Sequence, residues 1–373
     1  MKNKKKKKGF TLIELLAVIL ILGIIALIAI PTVTNIIKEA KKGAFKATVQ
    51  NIITAVETEC QLEQMRGEDL TTSYTFTNGT VDNELNVKGD LPSSGTITVD
   101  SSCNVTVSVS NGTFSAKKSS NSDEIIIREV GKPVSFAEDD WETIISVVQS
   151  GNFSAYKVGD TKEIALTGFT NTETDSNGLY TIRIANTSTP EECNAEGFSQ
   201  TACGFVIEFE DVIATHVMNS TATNVGGWEA SELRKYVNEA IYNALPTELK
   251  NSLADTTVVS GHGSTSGETN FTTIDKVYLL SPKEVWFKEG TLIDYGTAEI
   301  ETRQLDYYAG KGVGSNSNYS LAIKNLNGSE IVWWLRTAQS DNIHNFCFVN
   351  IYGYGASYFA KTTYGIAPAF RIQ

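Results

Sequence analysis

The chain begins with two blocks of opposite character. A basic stretch occupies residues 1–9 (MKNKKKKKG), and an apolar run follows from Phe10 to Ile30 with one charged residue, Glu14. As a helix this run would measure about 31 Å at about 1.5 Å per residue, close to the roughly 30 Å hydrocarbon layer of a bilayer. The pattern predicts a transmembrane helix at residues 10–30, with the lysines cytoplasmic and the rest of the chain outside.

Beyond the apolar run, the pattern changes first to that of an amphipathic helix and then to that of strands. Apolar positions continue past Pro31, from Val33 to Val56, so we expect the proline to bend the helix rather than end it. Residues 71–116 alternate polar and apolar positions between turn signals such as Asn-Gly. We therefore predict a helix and a small antiparallel sheet within residues 31–118.

The second half of the chain predicts a larger α+β domain. Residues 119–132 are largely polar and unpatterned, which is typical of a linker. Within residues 133–373, helices are predicted at 139–148 and 228–245, and strands at 151–166, 276–287, 331–336, 346–353 and 365–372. The whole chain is thus predicted to be α+β, with a long N-terminal helix before two domains.

Composition and charge restrict the function further. The chain is 20% charged and 41% hydrophobic, as expected for a globular surface protein rather than a disordered one. Removing the six lysines of residues 2–8 from the formal net charge of −12 leaves −18 on the rest of the chain. Because such an acidic body repels phosphate, nucleic acid is not expected as a partner.

The five cysteines fall in the segment that is predicted to lie outside the membrane, where disulfides form. Cys193 and Cys203 are close in sequence and predict one disulfide, and Cys60 with Cys103 predicts a second in the first domain. Cys347 lies in an apolar, strand-like run and is expected to be a buried thiol. Five reduced thiols are the alternative.

Catalytic and metal-binding patterns are absent from the sequence. The histidines, His216, His262 and His344, lack the spacing of metal ligands, and no nucleophile–base pair can be assembled. The acidic groups at 139–140 and 208–211 lack the spaced oxygens of a calcium loop, so solvated acidic faces are expected. We predict that the protein is not an enzyme and needs no metal or cofactor.

Adjacent tryptophans suggest where the second domain could bind a ligand. Trp333 and Trp334 lie in a predicted strand, whose successive side chains point to opposite faces, so one is expected in the core and one at the surface. An exposed tryptophan ring stacks well on a sugar. Trp333, Trp334 and nearby Arg336 are therefore candidate ligand-binding residues.

Glu14 is the residue of the apolar run that most needs an explanation. An ionised side chain in lipid costs a few kcal/mol, on the order of 3, unless it finds a partner. Cleavage between Gly9 and Phe10 would create an α-amino group at Phe10, which Glu14 of a neighbouring subunit could pair with. The alternative is an uncleaved membrane anchor whose Glu14 lies among lipid headgroups.

This segment resembles the leader of type IV pilins and pseudopilins. Lys8-Gly9 followed by Phe10-Thr11-Leu12-Ile13-Glu14 matches the family's basic flank, glycine, phenylalanine and glutamate, and Pro31 lies at the far end of the apolar run. The resemblance implies cleavage after Gly9 by a prepilin peptidase, N-methylation of Phe10, and assembly with other pilin subunits through Phe10, Glu14 and Pro31.

The second domain resembles an uncharacterised family of domains in surface, phage and pilin-like proteins of Gram-positive bacteria. The shared positions include Gly226-Gly227-Trp228, Ser231 and Arg234, Trp333-Trp334-Leu335-Arg336, and the closing Pro368-Ala369-Phe370. That family looks like a distant relative of the C-type-lectin-like fold. The resemblance implies a fold and says nothing about a ligand.

Together these features predict a minor pilin or pseudopilin that is anchored in the cell membrane by a single helix and assembled into a cell-surface filament. Its extracellular domain is expected to bind an unknown surface, glycan or protein ligand. The alternatives are a pseudopilin of a DNA-uptake or secretion apparatus with the domain as a spacer, and an uncleaved surface protein held by membrane lipid.

Overall fold

The structure of the protein, a computed structural model, describes residues 12–67, 70, 72–83, 85–87, 89–169, 178–188, 191–286, 301–314 and 318–373. The chain divides into two compact units. The N-terminal unit ends at Lys132, and the C-terminal unit is Pro133–Gln373. Gly9 and Phe10 lie outside the described residues, as do the side chains of Glu14 and Pro31.

Helix α1, Leu12–Arg66, opens the N-terminal unit and continues through Pro31, as the apolar pattern predicts. It ends before Gly67, whose φ of 69° is a left-handed conformation that glycine adopts without steric cost. Among the residues that the structure describes, no helix is at once long enough and apolar enough to cross a membrane.

A six-stranded antiparallel sheet follows α1, in the order β2-β1-β3-β4-β5-β6. Its strands are β1 (Ser73–Thr77), β2 (Thr80–Val81), β3 (Ser94–Val99), β4 (Val105–Ser110), β5 (Phe114–Lys118) and β6 (Ile126–Glu129). Asn78 and Gly79 form the two-residue turn between β1 and β2, with φ of 50° and 77°. Asn-Gly favours this turn because both positions need a positive φ.

One face of α1 packs on this sheet. Phe45, Val49, Ile52 and Val56 are buried, and their spacing of three or four residues makes the apolar stripe of an amphipathic helix. Every second residue of β4 from Val105 onward is buried in the same core. The buried face of α1 and the buried face of the sheet thus form the two sides of one core.

The segment predicted as a linker, residues 119–132, is not simply a linker. It contains β6, which pairs antiparallel with β5. Ile125 and Ile127 enter the core of the N-terminal unit and are at most 9% exposed. The polar composition of the preceding residues hid this short strand, which lies at the end of the sheet order.

The C-terminal unit contains several sheets. Its strands are β7 (Thr161–Ala165), β8 (Leu179–Asn186), β9 (Phe205–Phe209), β10 (Ala214–Val217), β11 (Thr256–Ser260), β12 (Phe271–Asp275), β13 (Lys324–Leu326), β14 (Ser329–Ile331), β15 (Trp333–Ala338), β16 (Asn345–Val349), β17 (Gly355–Phe359), β18 (Thr363–Ile366) and β19 (Ala369–Ile372). They form a four-stranded sheet, β19-β9-β8-β7, a five-stranded sheet, β10-β18-β15-β16-β17, and the hairpins β11-β12 and β13-β14. Pairing is antiparallel except between β15 and β18.

Its helices are short. They are α2 (Trp141–Ser150), α3 (Gly227–Ala230), α4 (Glu232–Tyr236), α5 (Tyr242–Ala244), α6 (Thr247–Ser252), α7 (Pro282–Val285) and α8 (Asp306–Gly310), with a π-helical turn at Val237–Ile241 and 3₁₀ turns at Phe153–Ala155, Glu191–Asn194, Gln200–Ala202 and Tyr319–Ala322. The α+β class predicted from the sequence, with an N-terminal helix and antiparallel sheets, is confirmed.

Three predicted elements of this unit are wrong in detail. The helix expected at 228–245 is broken at Ser231, whose side chain accepts a hydrogen bond from the Arg234 amide and starts α4 anew. The strand expected at 276–287 contains α7, because the Glu284 carboxylate accepts a hydrogen bond from the Ser281 amide at 2.9 Å and satisfies a backbone donor at the start of the helix. Of the two strands expected at 151–166, only β7 forms.

Candidate assembly surface and the C-terminal unit

The first half of α1 presents a large apolar surface. Its exposed large apolar side chains, each 50–84% accessible, are Leu12, Leu15, Leu16, Ile19, Leu20, Ile21, Leu27, Ile30, Val33, Ile36 and Ile37. Exposed apolar surface of this extent usually marks contact with a membrane or another protein. We call this stretch, residues 12–37, the apolar half of α1.

The second half of α1 is fixed to the sheet in two further ways. Lys38 forms an ion pair with Glu129 of β6. Cys60 on the helix forms a disulfide with Cys103, which lies in the turn between β3 and β4. This is the first of the two cysteine pairs expected from the sequence, and it links segments 43 residues apart.

A cleft of about 550 Å³ lies beside the last part of α1. It is lined by Glu59 of the helix and by residues of β2 and the segment after it, namely Val81, Asp82, Asn83, Leu85 and Asn86. Asp82 accepts a hydrogen bond of 2.7 Å from the Thr75 amide, which lowers the pKa of its carboxyl. The cleft is thus lined by two carboxylates.

In the C-terminal unit, the candidate ligand residues Trp333 and Trp334 are both fully buried, so neither forms a surface platform. The ring N–H of Trp333 donates to the Ala322 carbonyl at 3.0 Å, and that of Trp334 to the His216 carbonyl at 3.0 Å. The expected split between core and surface is wrong because β15 is a central strand that is covered on both faces.

Arg336, the third candidate ligand residue, is also fully buried. Its Nη1 and Nη2 donate to the two carboxylate oxygens of Glu284 at 2.6 and 2.7 Å, a bidentate pair. Its Nε donates to the Val259 carbonyl at 3.1 Å, and Nη1 also to the Leu279 carbonyl at 2.9 Å. Because its donors are used inside the protein, Arg336 holds the core together and does not face a ligand.

A second buried charge cluster surrounds Glu208, which was expected on a solvated face and is instead fully buried. Its carboxylate pairs with Arg183 at 2.8 Å and Lys324 at 3.1 Å, and accepts a hydrogen bond from Tyr308 at 2.8 Å. Burial opposes ionisation of Glu208, but Lys324 and Arg183 outweigh it and lower the pKa of the carboxyl. The neighbouring Glu210 reaches Arg183 only at 3.4 Å and is 40% exposed.

Asp139 was also predicted to lie on a solvated acidic face, and it is buried instead. It is 1% exposed and accepts hydrogen bonds from the Val134 amide at 2.9 Å and the Tyr156 hydroxyl at 2.8 Å. Asp140 beside it caps α2 by accepting from the Thr143 amide at 2.8 Å. Both carboxylates therefore have structural partners within the unit.

Of the remaining three cysteines, two form a disulfide and one is a free thiol. Cys193 and Cys203 form a disulfide, the second pair expected from the sequence. Cys347 is a buried free thiol, and burial raises the pKa of that thiol. Within the described ranges, no group of three or more His, Cys, Asp or Glu side chains is placed to hold a metal ion.

Exposed aromatic side chains occur elsewhere in the C-terminal unit. Tyr358 and Phe359 end the edge strand β17 and are 47% and 39% exposed, with ring centroids 5.1 Å apart. Ile343 and Tyr352 are 45% and 66% exposed. No pattern in the sequence favoured these residues over Trp333 and Trp334, because exposure depends on each strand's place in the sheet.

The first residues of the chain match a known family. Residues 4–30 match the model of the prokaryotic N-terminal methylation motif. The chain therefore has a type IV prepilin N terminus, as the sequence predicts. Two type IV major fimbrial proteins FimA of Dichelobacter nodosus are similar to it, one 40% identical over 75 residues and the other 32% identical over 102 residues.

These similarities are partial. They cover 20% and 26% of this chain and 47% and 63% of the two fimbrial proteins, less than two thirds of either.

Residues 206–373 match a family described as a domain of unknown function, DUF6273. No solved structure matches the chain. The relation of the C-terminal unit to the C-type-lectin-like fold stays a prediction.

Proposed function

We propose that this protein is a type IV pilin-like subunit that enters a cell-surface filament through α1 and displays its C-terminal unit outside the cell. The observation that supports this most is the prepilin N terminus joined to the exposed apolar half of α1. Before assembly that surface would lie in membrane lipid, and after assembly it would pack against the same surface of other subunits.

The proposal assigns a role to each processing residue. A prepilin peptidase cuts between Gly9 and Phe10, and Phe10 is then methylated without losing its positive charge. Glu14 of one subunit pairs with the Phe10 amine of another, which removes an uncompensated charge from the apolar environment. Pro31 lies within the apolar half of α1, before the half that packs on the sheet.

The size of the C-terminal unit supports a minor subunit. It has 241 residues, Pro133–Gln373, nearly twice as many as the N-terminal unit. A subunit repeated along a whole filament would have to accommodate a unit of this size at every position. We therefore propose a low-copy place at the tip or side of the filament. A pseudopilin of a DNA-uptake or secretion apparatus is the alternative.

The test is where the chain is found in cells. We expect it in the filament fraction sheared from the cell surface, and in the membrane fraction alone when the prepilin peptidase is removed. A chain that stays in the membrane fraction in both strains does not enter filaments, and that result would refute the proposal.

We further propose that the C-terminal unit is an adhesion domain whose contact surface includes Tyr358 and Phe359. Their exposed rings at an open sheet edge support this, since aromatic faces stack on sugars and on apolar protein surfaces.

The full chain in detergent should therefore bind members of a glycan and protein-ligand array. The double variant Tyr358→Ala/Phe359→Ala should lose at least about tenfold in affinity, as expected for truncating two contact aromatics. Leu179→Ala removes an apolar side chain of equal exposure, 47%, from another sheet and should leave binding unchanged. If the array shows no ligand, the spacer function is favoured; if both variants bind as the parent does, the contact lies elsewhere.

A further inference from the structure

Strand β17 ends the five-stranded sheet, and in the described part of the chain no other strand pairs with its outer side. Proteins usually protect such an end strand with a charged residue, a proline or a β-bulge, because its unpaired backbone groups can bind another chain. Strands β6 and β7, which end the other two large sheets, each contain two charged residues. Strand β17 has none of these protective features.

The hydrogen bonds between β16 and β17 show which backbone groups of β17 point outward. At one end of their register, the Asn350 amide donates to the Tyr354 carbonyl at 2.8 Å. At the other end, the Ala360 amide donates to the His344 carbonyl at 2.9 Å. Bonded and non-bonded pairs alternate along an antiparallel ladder, so the even-numbered residues of β17 bond to β16. The odd-numbered residues therefore turn their N–H and C=O groups away from β16.

Two of these odd-numbered residues, Ser357 and Phe359, lie in the more exposed half of the strand. Among the described residues, the Ser357 amide and carbonyl and the Phe359 amide have no hydrogen-bond partner. The Phe359 carbonyl accepts from the Thr362 amide at 2.9 Å. Two donors and one acceptor thus form a row about 7 Å long. An extended polypeptide matches this row, because its own N–H and C=O groups repeat at the same spacing.

The charge of the C-terminal unit restricts the partner further. Residues 133–373 contain 15 Lys and Arg and 29 Asp and Glu, so their formal net charge is −14. A partner segment with basic residues is attracted to this unit, and an acidic segment is repelled. A second copy of the unit carries the same charge and is repelled too. The charge thus favours an unlike partner over a second copy.

We propose that β17 binds an extended, basic segment of another protein, which adds a strand to the five-stranded sheet. This deepens the adhesion function proposed above and rests on it. The segment bonds to the outward groups of Ser357 and Phe359, and its apolar side chains contact the exposed rings of Tyr358 and Phe359. A sugar can stack on those rings, but it lacks the repeated N–H and C=O groups that the backbone of β17 matches.

A defined peptide tests the chemistry of the partner. An eight-residue peptide of alternating valine and lysine, titrated against the full chain in a nonionic detergent, should bind. The same peptide with every amide N-methylated keeps its charge and loses its donors, so it should bind at least about tenfold more weakly. A peptide of alternating valine and glutamate should be weakened at least as much, about tenfold. If the lysine peptide does not bind, or binds no better than either control, the proposal is wrong.

Ser357→Pro tests whether β17 is the site. It removes an N–H that β16 does not use, and proline is tolerated at such positions of end strands. Binding of the valine–lysine peptide should weaken at least about fivefold. Ser357→Ala is the matched control, because it also loses the hydroxyl contact with Gln339 but keeps the N–H, and it should bind as the parent does. Equal binding by the two variants would place the contact elsewhere and overturn the proposal.

Hydrogen exchange in the unaltered chain gives a second measurement that needs no variant to fold. When the valine–lysine peptide is added, the fast-exchanging amides of residues 355–359 should slow at least about fivefold, and those of β7 should not. Unchanged exchange at residues 355–359 would contradict the proposal. If the chain binds glycans but not the peptide, the adhesion function stands and this inference fails. If it binds neither, both fail.

Discussion

Glu14→Ala is expected to leave the chain in the membrane but to remove most of it from filaments. The substitution makes the apolar helix easier to place in lipid, because an ionisable residue there costs about 2.5–3.5 kcal/mol. It also leaves the Phe10 amine of the next subunit without a counter-charge among apolar helices. We expect at least about a tenfold loss from the filament fraction, with the same amount in the membrane fraction.

Leu15→Ala is the control for this prediction, because it shortens the adjacent side chain without changing charge. It should reduce incorporation by much less than Glu14→Ala does. Filaments that contain Glu14→Ala subunits in normal amounts would show that the carboxylate does not pair with the amine, and the register argument would then have to be abandoned.

Glu208→Ala is expected to destabilise the C-terminal unit by about 3–5 kcal/mol, since it leaves buried cations without their carboxylate. Arg183 is 7% exposed and Lys324 1% exposed at the side chain, so neither can turn into water without opening the core. Urea unfolding followed by tryptophan fluorescence measures the effect in this unit alone, because all five tryptophans lie in residues 133–373.

Glu210→Ala provides the comparison. It removes a carboxylate that also pairs with Arg183, but this carboxylate is 40% exposed and lies 3.4 Å from Arg183. The free energy of unfolding should therefore fall by at most about 1 kcal/mol. Equal losses for the two variants would mean that Glu208 has no special structural role. A stable Glu208→Ala protein would show that Arg183 and Lys324 find other partners.

The N-terminal unit could be predicted well because its signals are local. The apolar run, the helical spacing from Val33 to Val56 and the Asn78-Gly79 turn each depend on residues close together in sequence. The structure places a continuous α1 and an antiparallel sheet where these patterns fall. It also joins Cys60 to Cys103, a pairing that followed from their shared domain rather than from spacing.

Buried charges were missed because their partners are distant in sequence. Glu208 meets Lys324 across 116 positions, and Arg336 meets Glu284 across 52. A carboxylate that has two cations against it can be buried, whereas the same residue alone would stay in water. Sequence shows the charge and does not show the partner, so the acidic groups were expected on the surface.

The candidate binding residues failed for a related reason. Alternation along a strand assigns two faces, but it does not say whether the second face is open to solvent or covered by another layer. In β15 both faces are covered, which buries Trp333 and Trp334 together. In β17 the edge position leaves Tyr358 and Phe359 exposed. Position in the sheet is set by the whole topology, which local pattern cannot supply.

Mass spectrometry of the N-terminal peptide tests the filament account most directly. Protein taken from the cell envelope should begin at Phe10 and carry one added methyl group on its amine. A peptide that still begins at Met1, with the lysines of residues 2–8 in place, would contradict the account, because the nitrogen of Phe10 would then be an amide and could not pair with Glu14.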